Sequence, residues 1–400
     1  MRWETPLNVL TRSALDHTVE DYVSKETDEY ALIEELKEKH GLERVYRFDI
    51  GKNTDGYSDI IEGVLEMADL AGLCQQNLIE YPDNHYRLLI EYMAERFQLD
   101  PRCFLLTAGL ECMIDHVSRT FLEPEASFLL PIPNFSVFEA FSLRVGGRPL
   151  YQQLEKTAGF QWTGETVERL DSIMEEEQPT LLWISNPVNP TGQDLPLAWI
   201  EQLADRARRQ GTVVVVDEAY GEYTDPDHGF QTAATLTPDA PNLLVMRTFS
   251  KVHALPSLRV GYLICSDPVV LDALQLYRPM FPLSWFSLYV AQIAFVDEEQ
   301  PIEARRRVLA RKKELYRTLD GMAGYEYLPS ATNTVMLRHA SLPADRLWDE
   351  LAAAGCLTAN LNGIHGLVGE EFLRITIRAE EENLYLLDAL DRIDAASRSL

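Results

Sequence analysis

Between residues 104 and 265 the chain repeats one pattern. A short unbroken apolar run is closed by a turn signal, then comes a stretch with apolar residues every three or four positions. The runs are "FLLTAG" (Phe104–Gly109), "SFLLPIP" (Ser127–Pro133), "TLLWISNP" (Thr180–Pro187), "TVVVVDEAY" (Thr212–Tyr220), "NLLVMRTFS" (Asn242–Ser250) and "RVGYLIC" (Arg259–Cys265). Apolar runs of this length, bounded by Gly, Pro or Asn, read as buried strands. The stretches between them read as amphipathic helices. In "GLECMIDHVSRTFL" the residues Leu110, Met113, Ile114, Val117 and Phe121 share one face. "LAWIEQLADRARRQG" (Leu197–Gly211) ends in bases and a glycine, a helix stop. Strands that are apolar throughout, rather than alternating, are covered on both faces. The pattern therefore predicts an α/β fold, with a mostly parallel sheet between helices.

From about residue 290 the pattern changes. A long amphipathic helix ("EARRRVLARKKELYRTLDGM") is followed by strand candidates "ATNTVMLRH" (Ala331–His339) and "EFLRITIRAE" (Glu371–Glu380), then by a final helix, "ENLYLLDALDRIDAAS". This predicts a large domain over 46–290 and a smaller α+β domain over 291–400. The charged segment 1–45 is expected to pack with the smaller domain.

Composition adds limits. The 400 residues are 46% hydrophobic and 25% charged, which is the make-up of a folded globular chain and too long for one small core. Against 36 Lys and Arg stand 63 Asp and Glu, a net charge of −27 that disfavours nucleic acid and anionic membranes. Any anion bound here must be held by local cations against that field. The five cysteines form no C-x-x-C pair and the eight histidines no H-x-x-x-H spacing, so neither a disulfide framework nor a metal site is expected. "MRWETPLNVLTRSALD" lacks the apolar core of a signal peptide, and no run approaches membrane-spanning length. A cytoplasmic protein with reduced thiols is expected.

Ligands of such sheets collect at the carboxyl ends of the strands, and here those ends are polar. Gly109–Leu110–Glu111 opens a helix whose free N–H groups make an anion seat. "NPVNPTG" presents Asn186 and Asn189, "VVVV" delivers Asp217 with Tyr220 three residues on, and "LLVMRTFS" delivers Thr248, Ser250 and Lys251. Singly, each has a plain structural explanation: a junction glycine, an Asn-Pro turn, a capping Asp, a solvated Lys. Together they match one demand. A Lys amine condenses with an aldehyde, and a buried Asp could pair with a protonated ring nitrogen. Asn and Tyr could bond a phenolate oxygen. The helix start with Thr248, Ser250 and Arg259 could hold a phosphate, and Phe135 of "PIPNF" could stack on a ring. Those are the binding needs of pyridoxal 5′-phosphate.

The order and separation of "YPDNHYRLLIEYMAERF", "TAGLE", "NPVNPTG", "VVVVDEAYGEY", "TFSKVHALPSLRVGY" and "FLRITIRAEEEN" over about residues 45 to 395 carry a family resemblance. The chain resembles fold-type I pyridoxal-phosphate enzymes of the class I/II aminotransferase group, nearest to the histidinol-phosphate aminotransferases. The resemblance implies a Schiff base on Lys251, which then moves the substrate proton, and an Asp217 pair to the ring nitrogen. It implies ring-oxygen bonds from Tyr220 and Asn189, and stacking by Phe135. The phosphate would be held by Thr248, Ser250, Arg259 and the backbone at Gly109, Leu110 and Glu111. Arg374 would clamp a substrate carboxylate beside Asn189, and Tyr81 would reach the phosphate of a neighbouring subunit in a homodimer. Substrates would be an L-amino acid and a 2-oxo acid.

Two departures bear on the substrate. The relatives' Asn-Glu-Asn-Pro-like segment is here "DIGKNTDGYSD" (Asp49–Asp59), and Ala359 of "GCLTANL" stands where an arginine is usual. A phosphorylated substrate gains from two cationic forks, so the reading favours an ordinary amino acid over histidinol phosphate. Lys52 and Asp55 are candidates to meet its side chain, with solvated loop residues the plain reading. His253 reads as a packing histidine. The alternatives are histidinol-phosphate transamination proper, or a decarboxylase, lyase or oxidase on the same scaffold. A nucleotide hydrolase would need G-x-x-x-x-G-K-[ST], and the one Gly-Lys pair, Gly51–Lys52, lacks it. A regulator with a DNA-binding segment would need a basic recognition helix, which the first hundred residues do not contain.

Overall fold

A computed structural model describes residue 10 and residues 28–67, 69–224 and 231–398. The expectations for residues 1–27, other than 10, lie outside the described residues. The apolar runs fold as strands β1 (Phe104–Thr107), β2 (Ser127–Ile132), β4 (Leu181–Ser185), β5 (Val213–Asp217), β6 (Leu243–Thr248) and β7 (Gly261–Ile264), and β3 (Arg148–Gln153) joins them. They form one seven-stranded sheet in the order β1-β7-β6-β5-β4-β2-β3. Neighbours from β3 to β6 are parallel, and β7 runs antiparallel to both β6 and β1. Every residue of β1, β2, β4, β6 and β7 is buried, as unbroken apolar runs require.

The apolar pattern does not predict strand β3. Its sequence, RPLYQQ, is polar because it closes the sheet edge, where five of its six residues stay at least partly open. Helices α1 (Glu29–His40), α2 (Leu110–Phe121), α3 (Ser136–Arg144) and α4 (Leu197–Gln210) include the predicted amphipathic pair. The buried face of α2 holds Leu110, Met113, Ile114 and Val117, four of the five residues assigned to it.

A second sheet of four strands has the order β10-β11-β9-β8, with β8 Tyr325–Leu328, β9 Thr334–His339, β10 Ala359–Asn360 and β11 Leu373–Thr376. Its neighbours are antiparallel. Helices α5 (Glu299–Leu319), α6 (Ala344–Ala353) and α7 (Glu380–Ser397) share an apolar cluster with it: Val308, Leu315, Leu347, Leu351, Leu386 and Leu390 bury against Val335, Leu337 and Ile375. Helix α1 packs its Leu36 on Ala352 of α6. The apolar faces of the large sheet are filled by two further clusters. Among the described residues no helix is long and apolar enough to cross a membrane, and no cluster of His, Cys, Asp and Glu is suited to a metal.

Candidate active site

Parallel strands β4, β5 and β6 end side by side, so Asn186, Asp217 and the Thr248–Lys251 turn are brought to one crevice. Register pairs Ser185 with Asp217, and Asp217 with Met246. Asp217 is buried, and its carboxylate accepts the Ala219 N–H at 2.8 Å. Burial pushes its pKa up to about 7, with the Lys251 charge pulling the other way. The Lys251 amine lies 4.8 Å from the centroid of the Tyr220 ring. Burial would raise the Tyr220 phenol. The charges of Lys251 and Arg374 and a hydrogen bond with Lys251 outweigh it, leaving the phenol below its ordinary value.

The groups expected to seat an anion gather at the start of α2. Gly109 precedes α2 with φ 86° and ψ 168°, and a Cβ there would run into the Arg259 guanidinium, so Arg259 lies across the start of the helix. Opposite, the hydroxyls of Thr248 and Ser250 are 3.0 Å apart and the Ser250 N–H donates to Thr248 Oγ1 at 3.1 Å. The first-turn N–H groups of a helix, aligned with its dipole, complete such a seat. Glu111 is exposed in that turn and Leu110 is buried in the core.

Arg374 comes from β11 of the smaller sheet and is 1% exposed. It donates to Asn189 Oδ1 at 3.1 Å and to the Asp49 carbonyl at 2.9 Å, so both sheets and the segment after residue 48 meet at its fork. Ala359 of β10 is its directly opposed partner in register. The arginine that the resemblance would have put there is replaced by a buried methyl.

Some positioning residues escape the sequence reading. Asn134 Oδ1 accepts the Phe135 N–H at 2.8 Å and the Ser185 hydroxyl at 2.7 Å, and Ser185 Oγ in turn accepts the Asn189 N–H at 3.0 Å. One chain of hydrogen bonds thus fixes the half-buried Phe135 relative to Asn189. The "PNF" triplet holds the signal, but polar contacts between distant strand ends leave no periodic trace. Glu218 is also buried, spent on Arg247 at 2.6 Å, Thr232 and the Ala233 N–H. It therefore serves the fold rather than a metal. His253 is buried, packs 5.1 Å from the Phe249 ring, and is driven to a pKa of about 4 by that burial. Asp55 is bound to Arg311 at 2.7 Å, which removes it as a reader of substrate side chains. Tyr81 is 80% exposed and stacks on Phe281 at 4.5 Å.

Pyridoxal phosphate fits these residues. A buried acid with a raised pKa suits a cationic ring nitrogen, and the glycine-opened seat under Arg259 suits a phosphate. The buried Nδ2 atoms of Asn134 and Asn186 have no hydrogen-bond partner among the described residues, leaving donors for a bound polar group.

Comparison with known proteins agrees. A histidinol-phosphate aminotransferase of Pseudomonas entomophila is 32% identical over 326 residues, 80% of this chain and 87% of that one. The structure of a decarboxylase from Sulfurospirillum multivorans superposes with a TM-score of 0.80 at 22% identity, covering 96% of this chain and 95% of that one. The structure of histidinol-phosphate aminotransferase from Sinorhizobium meliloti in complex with pyridoxal-5′-phosphate gives 0.76 at 21% identity, covering 94% and 99%. The sequence model of the family "aminotransferase class I and II" matches residues 44–390. The chain therefore belongs to the class I and II aminotransferases, as an enzyme that uses pyridoxal phosphate to transfer amino groups.

Proposed function

We propose that transamination runs at the crevice around Lys251, between an L-amino acid and a 2-oxo acid whose carboxylates are held by Arg374. The observation that carries this reading is the convergence of the Lys251 amine, the buried Asp217 acid and the Tyr220 phenol at one set of strand ends. Bound there, pyridoxal phosphate supplies an aldehyde for an amine to condense with and a ring that draws electrons from the amino acid's α-carbon. Asp217 would hold a proton at the ring nitrogen and so keep the ring an effective electron sink. Tyr220 and Asn189 would hydrogen-bond the ring oxygen, and Phe135 would cover one face of the ring. Lys251 Nζ would accept the proton of the α-carbon as a general base and would deliver it beyond the amino nitrogen as a general acid. Arg374 would fix the carboxylate, and Thr248, Ser250, Arg259 and the α2 start would hold the phosphate.

A second reading has histidinol phosphate as the amino donor. The activity of the 32%-identical relative favours it, and the methyl of Ala359 beside Arg374 weighs against it. We further propose a cytoplasmic homodimer. Its support is the five free thiols and the exposed apolar side chains of Leu78, Ile79, Tyr81, Met280 and Phe286.

Borohydride reduction and peptide mapping test the attachment, with the label expected on Lys251. Absence of label there, or label on Lys52, overturns it. Single amino acids and histidinol phosphate are then screened for conversion of the bound cofactor to its aminated form. Reaction with amino acids supports the first reading, and reaction with histidinol phosphate alone supports the second. Release of carbon dioxide would instead replace transamination by decarboxylation.

A further inference from the structure

Lys251 opens a tight turn, closed by the Ala254 N–H donating to the Lys251 carbonyl at 3.0 Å. The central peptide of that turn carries the Val252 carbonyl, and two primary amides meet on it. Asn53 Nδ2 and Gln300 Nε2 each donate to this one oxygen at 2.9 Å. A carbonyl oxygen has two lone pairs, so the two amides saturate it. Asn53 belongs to the segment after residue 48, and Gln300 to the first turn of α5. Both stand on braced backbone. Asn53 Oδ1 accepts the Asp55 N–H at 2.9 Å, and Asp55 pairs with Arg311 of α5 at 2.7 Å. Asp297 accepts the Gln300 N–H at 3.1 Å with one carboxylate oxygen and the Ser58 hydroxyl with the other. The Val252 side chain is fully buried in the apolar cluster that contains Val308 of α5. Gln300 Oε1 is buried with no hydrogen-bond partner among the described residues. A methionine of similar length would fill that space without stranding a polar atom, so packing alone does not account for a glutamine here.

We propose that Gln300 and Asn53 are positioning residues for Lys251: together they fix the central peptide of its turn, and so the direction in which its amine points. This rests on the attachment of the cofactor to Lys251. The two commonest β-turn types differ mainly by rotation of the central peptide, with the ends of the turn little moved. Two anchored donors on the Val252 oxygen oppose that rotation. Neither amide has a printed bond to the Lys251 side chain; both act through the backbone beside it. Gln300 also ties the turn to α5, whose apolar face packs with the smaller sheet. A displacement of α5 relative to the large sheet is thereby passed to Lys251 through one carbonyl.

The experiment uses the full chain, loaded and cofactor-free, with Gln300→Met, Gln300→Glu, Asn53→Asp and the double variant Gln300→Met with Asn53→Asp. Gln300→Met keeps the length and loses the donor, and Gln300→Glu keeps the shape. Asn53→Asp keeps the acceptor for the Asp55 N–H and loses the donor. In the loaded protein the pH midpoint of the cofactor's visible absorbance is titrated. In the cofactor-free protein the rate of Lys251 labelling by acetic anhydride is read by peptide mapping. Lys156, held by Glu370 at 2.6 Å, is the internal reference. Each single variant is expected to move the midpoint by about half a unit and to speed Lys251 labelling about fivefold relative to Lys156, the scale of one net hydrogen bond. The double variant is expected to exceed the sum of the single ones, because either amide alone still restrains the shared oxygen. A lowered melting temperature with unchanged midpoint and unchanged labelling overturns the proposal and leaves Gln300 a packing residue. Changes confined to Asn53→Asp also overturn it, by removing α5 from the linkage. If borohydride reduction places the cofactor on another lysine, the active-site reading fails, and labelling of the cofactor-free protein still decides for or against Gln300.

Discussion

A carboxyl group at the end of a buried strand faces a conflict that a bound proton or a neighbouring cation resolves. Burial raises Asp217 to about 7, because a lone charge is poorly solvated there. Without cofactor, the folded chain holds a proton on Asp217 that the unfolded chain releases near pH 4. Stability contributed by this group therefore falls as pH rises from about 4 to about 7, and the penalty is complete above that. The cofactor-free protein should lose melting temperature over this window, and Asp217→Asn should flatten the curve. Equal slopes in the two proteins would show that the carboxyl is ionised throughout. With cofactor bound, the same substitution should cut turnover by about a hundredfold or more, since the ring nitrogen loses the group that keeps it protonated.

At the scale of an element, the proposed phosphate seat depends on how α2 begins. Gly109 has a φ of 86° and a ψ of 168°, a region open to glycine and costing other residues about 1–3 kcal/mol. A side chain there would also push the Arg259 guanidinium off the helix start. Gly109→Ala should weaken cofactor affinity by about tenfold or more, read by titration of the cofactor-free protein, as the summed strain and lost contact imply. Wild-type affinity in that variant would mean that the seat lies elsewhere. Arg374 shows the same dependence differently: β11 carries it, but its direction is set by Asn189 from the other sheet and by the Asp49 carbonyl.

For the whole molecule, the proposed dimer would cover exposed apolar residues such as Leu78, Ile79, Tyr81 and Met280. The proposed dimer should appear by sedimentation. If Tyr81 completes the neighbour's phosphate site, mixing a Tyr81→Ala chain with a Lys251→Ala chain should restore one intact site per hybrid dimer. Activity above the sum of the two separate variants is the expected result. Activity no greater than that sum would confine each site to one chain.

How far the sequence reached is seen in particular residues. The strand runs, the glycine-opened helix, and the Asp217, Tyr220 and Lys251 spacings are legible because each is local. Burial on both faces writes a continuous apolar run, and the polar residues just after that run land at a strand end. Strand β3 escapes because an edge strand is polar on its open side, and the Asn134–Ser185–Asn189 chain because its members are brought together only by neighbouring strands. The commitment of Asp55 to Arg311 depends on segments 256 positions apart coming together, and the bond of Arg374 to Asn189 on segments 185 positions apart. Local chemistry thus set which groups are available. The folded chain decided which of them meet, because charges and hydrogen bonds act over a few ångströms of space whatever their separation along the backbone.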